Sequence, residues 1–282
     1  MTDKKERLRE IFEDTQAFYE TDPFLEYRVG VSRKSTRLFG PGLVPQLPEP
    51  HDRPAYVCVT RRKSFEAAMR QHAVHPRWRI TVLNFASATR PGGGVKNGSS
   101  AQEESLCRCS TLYPTLDQRW LWQQFYDVNR ALHDNRHTDA CIYSPGVVIC
   151  KTDEAFPQRL DQEDWVTVDI ISCAAPNLRE IPGNMYNVDR GPSIRLSYGE
   201  QVDLHVQRAR HILQVAAACR TDFLILGAFG CGAFQNDPGA VAEAYRKALP
   251  DFLPYFEEVE FAVYCRGSET ENYEAFRRAF NA

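Results

Sequence analysis

Two adjacent acidic residues follow a run of three glycines and form the most chemically distinctive stretch of the sequence. The glycines occupy residues 92–94, and Gln102, Glu103 and Glu104 begin eight residues after the last of them. Consecutive glycines leave main-chain N–H groups open to a ligand, and carboxylates can act as general acids or bases. The alternative is a flexible turn before a helix whose early acids favour its positive end. Because exposed turns rarely need three glycines, the pattern favours a ligand-binding loop.

A second glycine-rich loop spans residues 227–234, between a predicted strand and a predicted helix that starts near Pro238. Its three glycines leave amides free to surround a phosphate near the positive end of that helix. Phe234, at the end of the loop, packs either on a sugar or base of a ligand or in the core, and the sequence leaves both open. The spacing matches neither the dinucleotide fingerprint nor a Walker loop.

The elements that must position these loops alternate between strands and helices along the chain. This alternation predicts a mostly parallel sheet covered by helices on both faces, and ligands of such sheets bind where strands end and helices begin. Residues 21–54, rich in proline and glycine, are predicted to be an irregular connector. Strands are predicted over residues 55–60, 79–85, 140–143, 166–173, 223–226 and 259–265, and helices over residues 3–20, 65–73, 101–108, 120–135, 201–219, 238–248 and 269–280.

Composition and charge are those of an ordinary globular protein. The chain has 282 residues and a net charge of −3, and 43% of its residues are hydrophobic. No apolar stretch approaches the ~20 residues that span a bilayer, and the N-terminus lacks a secretory signal, so we expect a cytoplasmic protein. The slightly acidic balance argues against nonspecific binding to nucleic acid. Nine cysteines are scattered without a CxxC pair, which argues against a structural zinc site.

The two glycine loops belong to longer segments that resemble one known family. Residues 83–113, with the triple glycine and Gln-Glu-Glu, resemble the signature of the microbial-type poly(ADP-ribose) glycohydrolases of the macrodomain superfamily. Residues 226–238 are similar to the diphosphate-binding loop of that family, and residues 142–147 and 172–177 to two framework segments. The combination is much more specific than any single segment.

This resemblance implies a fold and an activity. The fold is a three-layer α/β/α macrodomain with a mixed, mostly parallel central sheet over residues 55–282, after an N-terminal helical and irregular extension over residues 1–54. The implied activity is hydrolysis of the ribose–ribose O-glycosidic bond of poly(ADP-ribose), which releases ADP-ribose. The expected partners are poly(ADP-ribose) or ADP-ribosylated proteins. Neither a cofactor, a metal, a membrane nor an obligate nucleic acid is expected, and the protein is expected to be a monomer.

The resemblance also implies a role for each motif residue. Glu104 is expected to be the catalytic acid, and Glu103 to hold the neighbouring ribose through its hydroxyls. The first loop would line the distal ribose and the second would wrap the diphosphate. Asn84 matches the first asparagine of the generic macrodomain NAAN stretch, whereas Ser87 stands where the second would be. The residues expected to bind ADP-ribose are Asn84, Gly92, Gly93, Gly94, Val95, Gln102, Gly230, Cys231, Gly232, Ala233 and Phe234.

The implied reaction fits a single carboxyl group that serves first as acid and then as base. Most glycosidases place two carboxylates on opposite sides of the bond, but adjacent helical residues point about 100° apart. Glu103 and Glu104 therefore cannot easily flank one bond. Glu104 would protonate the leaving ribose oxygen and then accept a proton from the attacking water. Burial and Glu103 would raise the pKa of Glu104, whereas the helix N-terminus would lower it, and the sequence leaves the net direction open.

Three other functions are compatible with parts of the pattern. A macrodomain hydrolase could cleave another ADP-ribosyl linkage, on a protein, a nucleic acid or a small metabolite. A non-catalytic reader could bind ADP-ribose, but two adjacent negative charges would not help it to bind an anion. A phosphoryl-transfer enzyme could use both glycine loops, but the chain lacks the P-loop lysine and hydroxyl pair.

Overall fold

A seven-stranded sheet forms the centre of the structure, a computed structural model that describes residues 3–183 and 191–280. The strands are β1 (Arg37–Phe39), β2 (Tyr56–Thr60), β3 (Ile80–Ala86), β4 (Cys141–Ile149), β5 (Val166–Ala174), β6 (Phe223–Leu226) and β7 (Glu258–Ala262). Their order across the sheet is β1-β4-β5-β3-β6-β7-β2. The strands from β5 to β2 in this order are parallel, whereas β4 runs antiparallel to both β5 and β1. The predicted mixed, mostly parallel sheet is confirmed.

Helices cover both faces of the sheet, which gives the predicted three layers. On one face Val82 packs in a buried cluster with Phe65 and Leu106. The next residue of β3, Leu83, points to the other face and packs with Ile212 and Val241. The helices are α1 (Lys4–Thr21), α2 (Pro23–Ser35), α3 (Ser64–Val74), α4 (Gln102–Cys109), α5 (Leu112–Leu116), α6 (Arg119–Leu121), α7 (Asp127–Leu132), α8 (Tyr198–Ala218), α9 (Pro238–Ala248) and α10 (Glu271–Phe280). None of them, in the described part of the chain, combines the length and apolar composition required to cross a membrane.

The prediction of an irregular connector over residues 21–54 is wrong, because this segment contains helix α2 and strand β1. The Asp22 carboxylate accepts hydrogen bonds from the backbone N–H groups of Phe24 and Leu25, both at 3.0 Å, and Pro23 occupies the first helical position. An acidic cap followed by proline is a helix start signal that the proline-rich composition obscured. The division of the chain after residue 54 stays a prediction, and β1, on its N-terminal side, pairs with β4 in the sheet.

Two other predicted elements differ in extent from those in the structure. The strand predicted over residues 140–143 continues as β4 to Ile149, because Gly146 lies in a bulge of the pairing with β5, at a φ of +72°. The proline–glycine pair therefore bends the strand without ending it. The helix predicted over residues 120–135 is divided into α6, a π-helical turn at Trp122–Tyr126 and α7.

The two glycine loops leave neighbouring strands at the same edge of the sheet. Strands β3 and β6 are parallel and adjacent, so their carboxyl ends lie side by side, and each is followed by one loop. The ring of Phe85, at the end of β3, contacts that of Phe229 in the second loop, with centroids 5.6 Å apart. The topology therefore brings the loops together, as the strand–helix alternation predicted.

Candidate active site

The first glycine loop lies directly against the two carboxylates at the start of α4. Gly93 has a φ of +55°, and a Cβ atom added there would lie 2.7 Å from Glu104 Oε1 and 3.1 Å from Glu103 Oε2. Gly92, with a φ of +66°, is packed against the ring of Tyr113. A side chain at Gly93 would be strained by its backbone conformation and would also displace both acids.

Glu104 is bound to the loop through a main-chain amide. Gly94 N–H donates a hydrogen bond of 2.9 Å to Glu104 Oε1. A Cβ atom at Gly94 would collide with the hydroxyl of Ser99, so the chain folds back tightly on itself here. Val95 follows, 1% exposed, at the start of a 3-10 turn. The loop therefore holds the Glu104 carboxylate in one orientation.

Glu103 is held by a different set of donors. Ser87 N–H donates to Glu103 Oε2 at 2.7 Å, and the Asn84 amide lies 3.4 Å from Oε1. The same Asn84 amide donates to Ser172 Oγ on the neighbouring strand β5 at 2.9 Å. Asn84 is fully buried, so it lies beneath Glu103 as a support. Its assignment as a ligand-binding residue stays a prediction.

Gln102 connects the start of α4 to strand β3. Its side-chain oxygen accepts from Phe85 N–H at 2.9 Å, and its side-chain nitrogen donates to the Leu83 carbonyl at 2.8 Å and to Ser64 Oγ at 3.1 Å. Through these hydrogen bonds Gln102 fixes the first turn of α4, which carries Glu103 and Glu104, against strand β3. Its assignment as a ligand-binding residue is likewise untested.

Burial of the two carboxyl groups answers the question that the sequence left open. Burial raises the pKa of Glu103 well above its ordinary value, and the charge of Glu104 adds to the effect. Burial also raises the pKa of Glu104, although the Gly94 hydrogen bond and the charge of Arg108 oppose the rise. Desolvation therefore outweighs the backbone hydrogen bonds and the charge that favour the ionised form. A protonated carboxyl group close to neutral pH is what a general acid requires.

The second loop is closed by a buried asparagine that the sequence analysis did not single out. Gly230, with a φ of +79°, is packed against Asn236 and Ala175. The Asn236 amide donates to the carbonyls of Gly230 and Pro176, at 2.9 and 2.8 Å. Its oxygen lies 2.8 Å from Nε2 of His205, a buried ring whose pKa burial lowers to about 4. Asn236 thus fixes the base of the loop.

The tip of the second loop is open. Gly232 and Ala233 are exposed, and a Cβ atom at Gly232 would meet nothing within 4 Å. Cys231 and Phe234 are half-buried. The Phe234 ring lies beside that of His137, with centroids 6.1 Å apart, and the Arg179 guanidinium lies 5.8 Å from its centroid. Phe234 therefore packs with one side against the buried core cluster and lies half-exposed at the rim of the loop.

The candidate residues form two groups at one edge of the sheet. Glu103, Glu104 and the first glycine loop are in direct contact, and the second loop adjoins them through Phe85 and Phe229. Within residues 3–183 and 191–280, no three His, Cys, Asp or Glu side chains form a group suited to a metal ion. The arrangement offers two buried carboxyl groups and, beside them, a glycine loop whose tip is open at Gly232 and Ala233.

The chain is similar in sequence and in structure to bacterial poly(ADP-ribose) glycohydrolases. A family model described as the catalytic domain of microbial-type PARG, or poly(ADP-ribose) glycohydrolase, matches residues 16–152. The structure is similar to PARG from Thermomonospora curvata, with 30% identity, a TM-score of 0.82, and 97% of this chain and 99% of that chain covered. For the same enzyme bound to the inhibitor ADP-HPD, the values are 30%, 0.78, 97% and 99%. No curated protein sequence matches the chain.

A second bacterial enzyme gives the same result. PARG from Deinococcus radiodurans in complex with ADP-ribose is 35% identical, with a TM-score of 0.74, and the match covers 90% of this chain and 97% of that chain. The fold and the acid pair thus define a hydrolase of the glycosidase class with a macrodomain-like structure. The chain belongs to the microbial-type poly(ADP-ribose) glycohydrolase family.

Proposed function

We propose that this protein hydrolyses the ribose–ribose O-glycosidic bond of poly(ADP-ribose) and releases ADP-ribose, with Glu104 as general acid and base. The observation that carries the proposal is the buried Glu104 carboxyl, bound to Gly94 N–H at 2.9 Å and set against a glycine with positive φ. Two similar structures are of poly(ADP-ribose) glycohydrolase from Deinococcus radiodurans in complex with ADP-ribose. The site and the family membership together support this activity.

The proposed reaction proceeds in two proton transfers. Protonated Glu104 donates its proton to the departing ribose oxygen as the bond to the anomeric carbon breaks, and an oxocarbenium-like sugar develops. Water then attacks the anomeric carbon and gives a proton to the Glu104 carboxylate, which restores the acid. One water is consumed, and each fragment ends with a hydroxyl. The raised pKa of Glu104, caused by burial, supports the first step.

The remaining candidate residues would bind and orient ADP-ribose. Glu103, held by Ser87 N–H and Asn84, would accept hydrogen bonds from ribose hydroxyls. Residues 230–233 would surround the diphosphate with main-chain amides, and the exposure of Gly232 supports this role. Phe234, at the rim, would pack on the distal ribose. The glycohydrolase unit would comprise residues 55–282, and the N-terminal segment would complete its sheet through strand β1.

The substrate linkage is tested by product identification. The protein is incubated separately with defined poly(ADP-ribose), with mono-ADP-ribosylated protein and with ADP-ribosylated nucleic acid, and the products are identified by mass spectrometry. We expect ADP-ribose from the polymer at a rate far above that from either mono-ADP-ribosylated substrate. Release only from a mono-ADP-ribosylated substrate would assign a different linkage to the same fold. Binding of ADP-ribose without any cleavage would assign a reader.

A further inference from the structure

Arg108 is a buried cation on the same face of α4 as Glu104. The two residues are four positions apart, so their side chains lie one turn from each other. Arg108 is 3% exposed, and its Nη1 donates a hydrogen bond of 2.6 Å to the Ser99 carbonyl. No carboxylate in the described part of the chain forms an ion pair with it. Burial lowers the pKa of Arg108, and the charge of Glu104 opposes that shift. A buried charge that is not paired requires an explanation.

The contacts of Arg108 lead back to Glu104 through the glycine loop. Arg108 donates to the carbonyl of Ser99, and the N–H of Ser99 donates to the Gly94 carbonyl at 3.2 Å. The Ser99 side chain also packs on Gly94. Gly94 N–H in turn donates to Glu104 Oε1 at 2.9 Å. Through Ser99, the guanidinium therefore fixes residue Gly94, which accepts from Ser99 at its carbonyl and donates to Glu104 from its N–H.

Helix α1 braces Arg108 from the other side. Thr15 Oγ1 donates to the Arg108 carbonyl at 2.7 Å, and the Lys5 carbonyl lies against Gly98 at the end of the same loop. The loop cannot move away from α4 without breaking these contacts. Arg108 is thus placed rigidly with respect to Glu104.

We propose that Arg108 is a positioning residue for Glu104: it holds the Gly94 amide on the carboxylate, and its fixed charge stabilises the carboxylate formed after the leaving oxygen is protonated. This inference rests on the proposed function, because it assigns Arg108 to the same proton-transfer cycle. A strongly desolvated acid would protonate the leaving group readily, but desolvation would raise the free energy of the carboxylate that remains. A cation held one helical turn away offsets part of that desolvation cost.

Arg108 differs from the other ionisable groups near Glu104 because it is both buried and cationic. Strand β3 contributes no ionisable side chain, and burial raises the pKa of Cys107 and of Tyr126 well above their ordinary values, so both stay neutral. Lys5 of α1 and Lys96 of the 3-10 turn are exposed, so water screens their charges. Burial also raises the pKa of Glu103 on the same helix and of Tyr113 in α5.

The test compares Arg108→Gln and Arg108→Lys in pH–rate profiles of kcat/KM for polymer hydrolysis. Without the cation the pKa of Glu104 rises, so its acid form persists to higher pH. The alkaline limb of Arg108→Gln should therefore move to higher pH by about half a unit or more. We expect its kcat to fall roughly tenfold or more, with ADP-ribose affinity within about twofold of wild type. Arg108→Lys keeps the charge and should leave the limb in place.

The outcomes separate this inference from the proposed function. If the wild-type protein cleaves polymer and a folded Arg108→Gln protein has an unshifted limb, Arg108 does not act on Glu104. Lower activity with an unshifted limb, unrelieved in Arg108→Lys, would assign Arg108 a role in folding alone. If wild type does not cleave polymer at any pH, the proposed function itself is contradicted. Arg108→Met, which keeps the apolar stem, replaces Arg108→Gln if the glutamine variant does not fold.

Discussion

Glu103 and Glu104 are neighbours in sequence but have different surroundings. Glu103 is held from the β3 side by Ser87 N–H and Asn84, whereas Glu104 is held by Gly94 N–H. Both are almost fully buried, and burial raises the pKa of each. Two carboxyl groups buried side by side destabilise a fold when they ionise. We therefore expect the acid pair to lower the free energy of unfolding, while its raised pKa values keep a proton available for the reaction.

This cost should depend on pH. Burial raises the pKa of Glu103 in the folded state, so its ionisation costs stability as pH rises from the unfolded-state pKa of about 4.3. Glu103→Gln removes that ionisation. We expect its melting temperature to exceed that of wild type by roughly 2 °C or more near pH 8, with a smaller difference near pH 5.

The matched control for that comparison is Glu10→Gln, at an exposed position of α1. It should leave the melting temperature nearly unchanged at both pH values. If Glu103→Gln stabilised the protein equally at both pH values, or less at high pH, ionisation of the buried Glu103 would not be what destabilises the fold.

At the residue scale, the identities of the two acids could be predicted from sequence, but the direction of the Glu104 pKa shift could not. Burial and the helix N-terminus act in opposite directions, and their balance depends on how completely the folded chain covers the carboxylates. Arg108 also escaped prediction, because nothing in its sequence context shows that its side chain is buried and reaches Ser99.

At the scale of elements, two glycines of the second loop are required for different reasons. Gly230 has a φ of +79° and is packed against Asn236, so its glycine is required by the backbone. Gly232 has open space and no positive φ. The backbone does not explain that glycine, whereas close approach of a phosphate would.

Gly232→Val tests the second loop because it fills the open space without straining the chain. We expect ADP-ribose affinity to drop at least tenfold, which is about 1.4 kcal/mol, with the melting temperature preserved. Gly40→Val is the matched control, since a Cβ atom at Gly40 also meets nothing within 4 Å, and it should bind normally. A folded Gly232→Val protein that binds ADP-ribose as tightly as wild type would remove this loop from the site.

Most elements could be predicted from hydrophobic periodicity, and the exceptions have local causes. The Asp22 cap and Pro23 start helix α2 within a segment whose composition indicated a connector. Gly146 allows strand β4 to continue through a bulge, where a proline–glycine pair normally indicates a turn. In both places a single hydrogen-bonding or backbone feature outweighed the composition of its neighbourhood.

At the scale of the whole molecule, the N-terminal helix is part of the support of the site. Phe12 packs edge-on against Tyr113, with centroids 5.1 Å apart, and Tyr113 covers Gly92. Lys151, 1% exposed, forms an ion pair of 2.6 Å with Asp14 of α1. The two contacts of helix α1 join residues more than a hundred positions apart, so periodicity and motif spacing could not predict them.

The central claim is that Glu104 supplies the proton for bond cleavage. The most direct test is single-turnover hydrolysis of defined poly(ADP-ribose) by Glu104→Gln, with ADP-ribose affinity and melting temperature measured on the same preparation. Glutamine keeps the shape and can accept the Gly94 hydrogen bond but cannot donate an acidic proton. We predict a fall in rate of about 10²–10⁴-fold with affinity little changed. A folded Glu104→Gln protein that cleaves polymer at a near-normal rate would contradict the account.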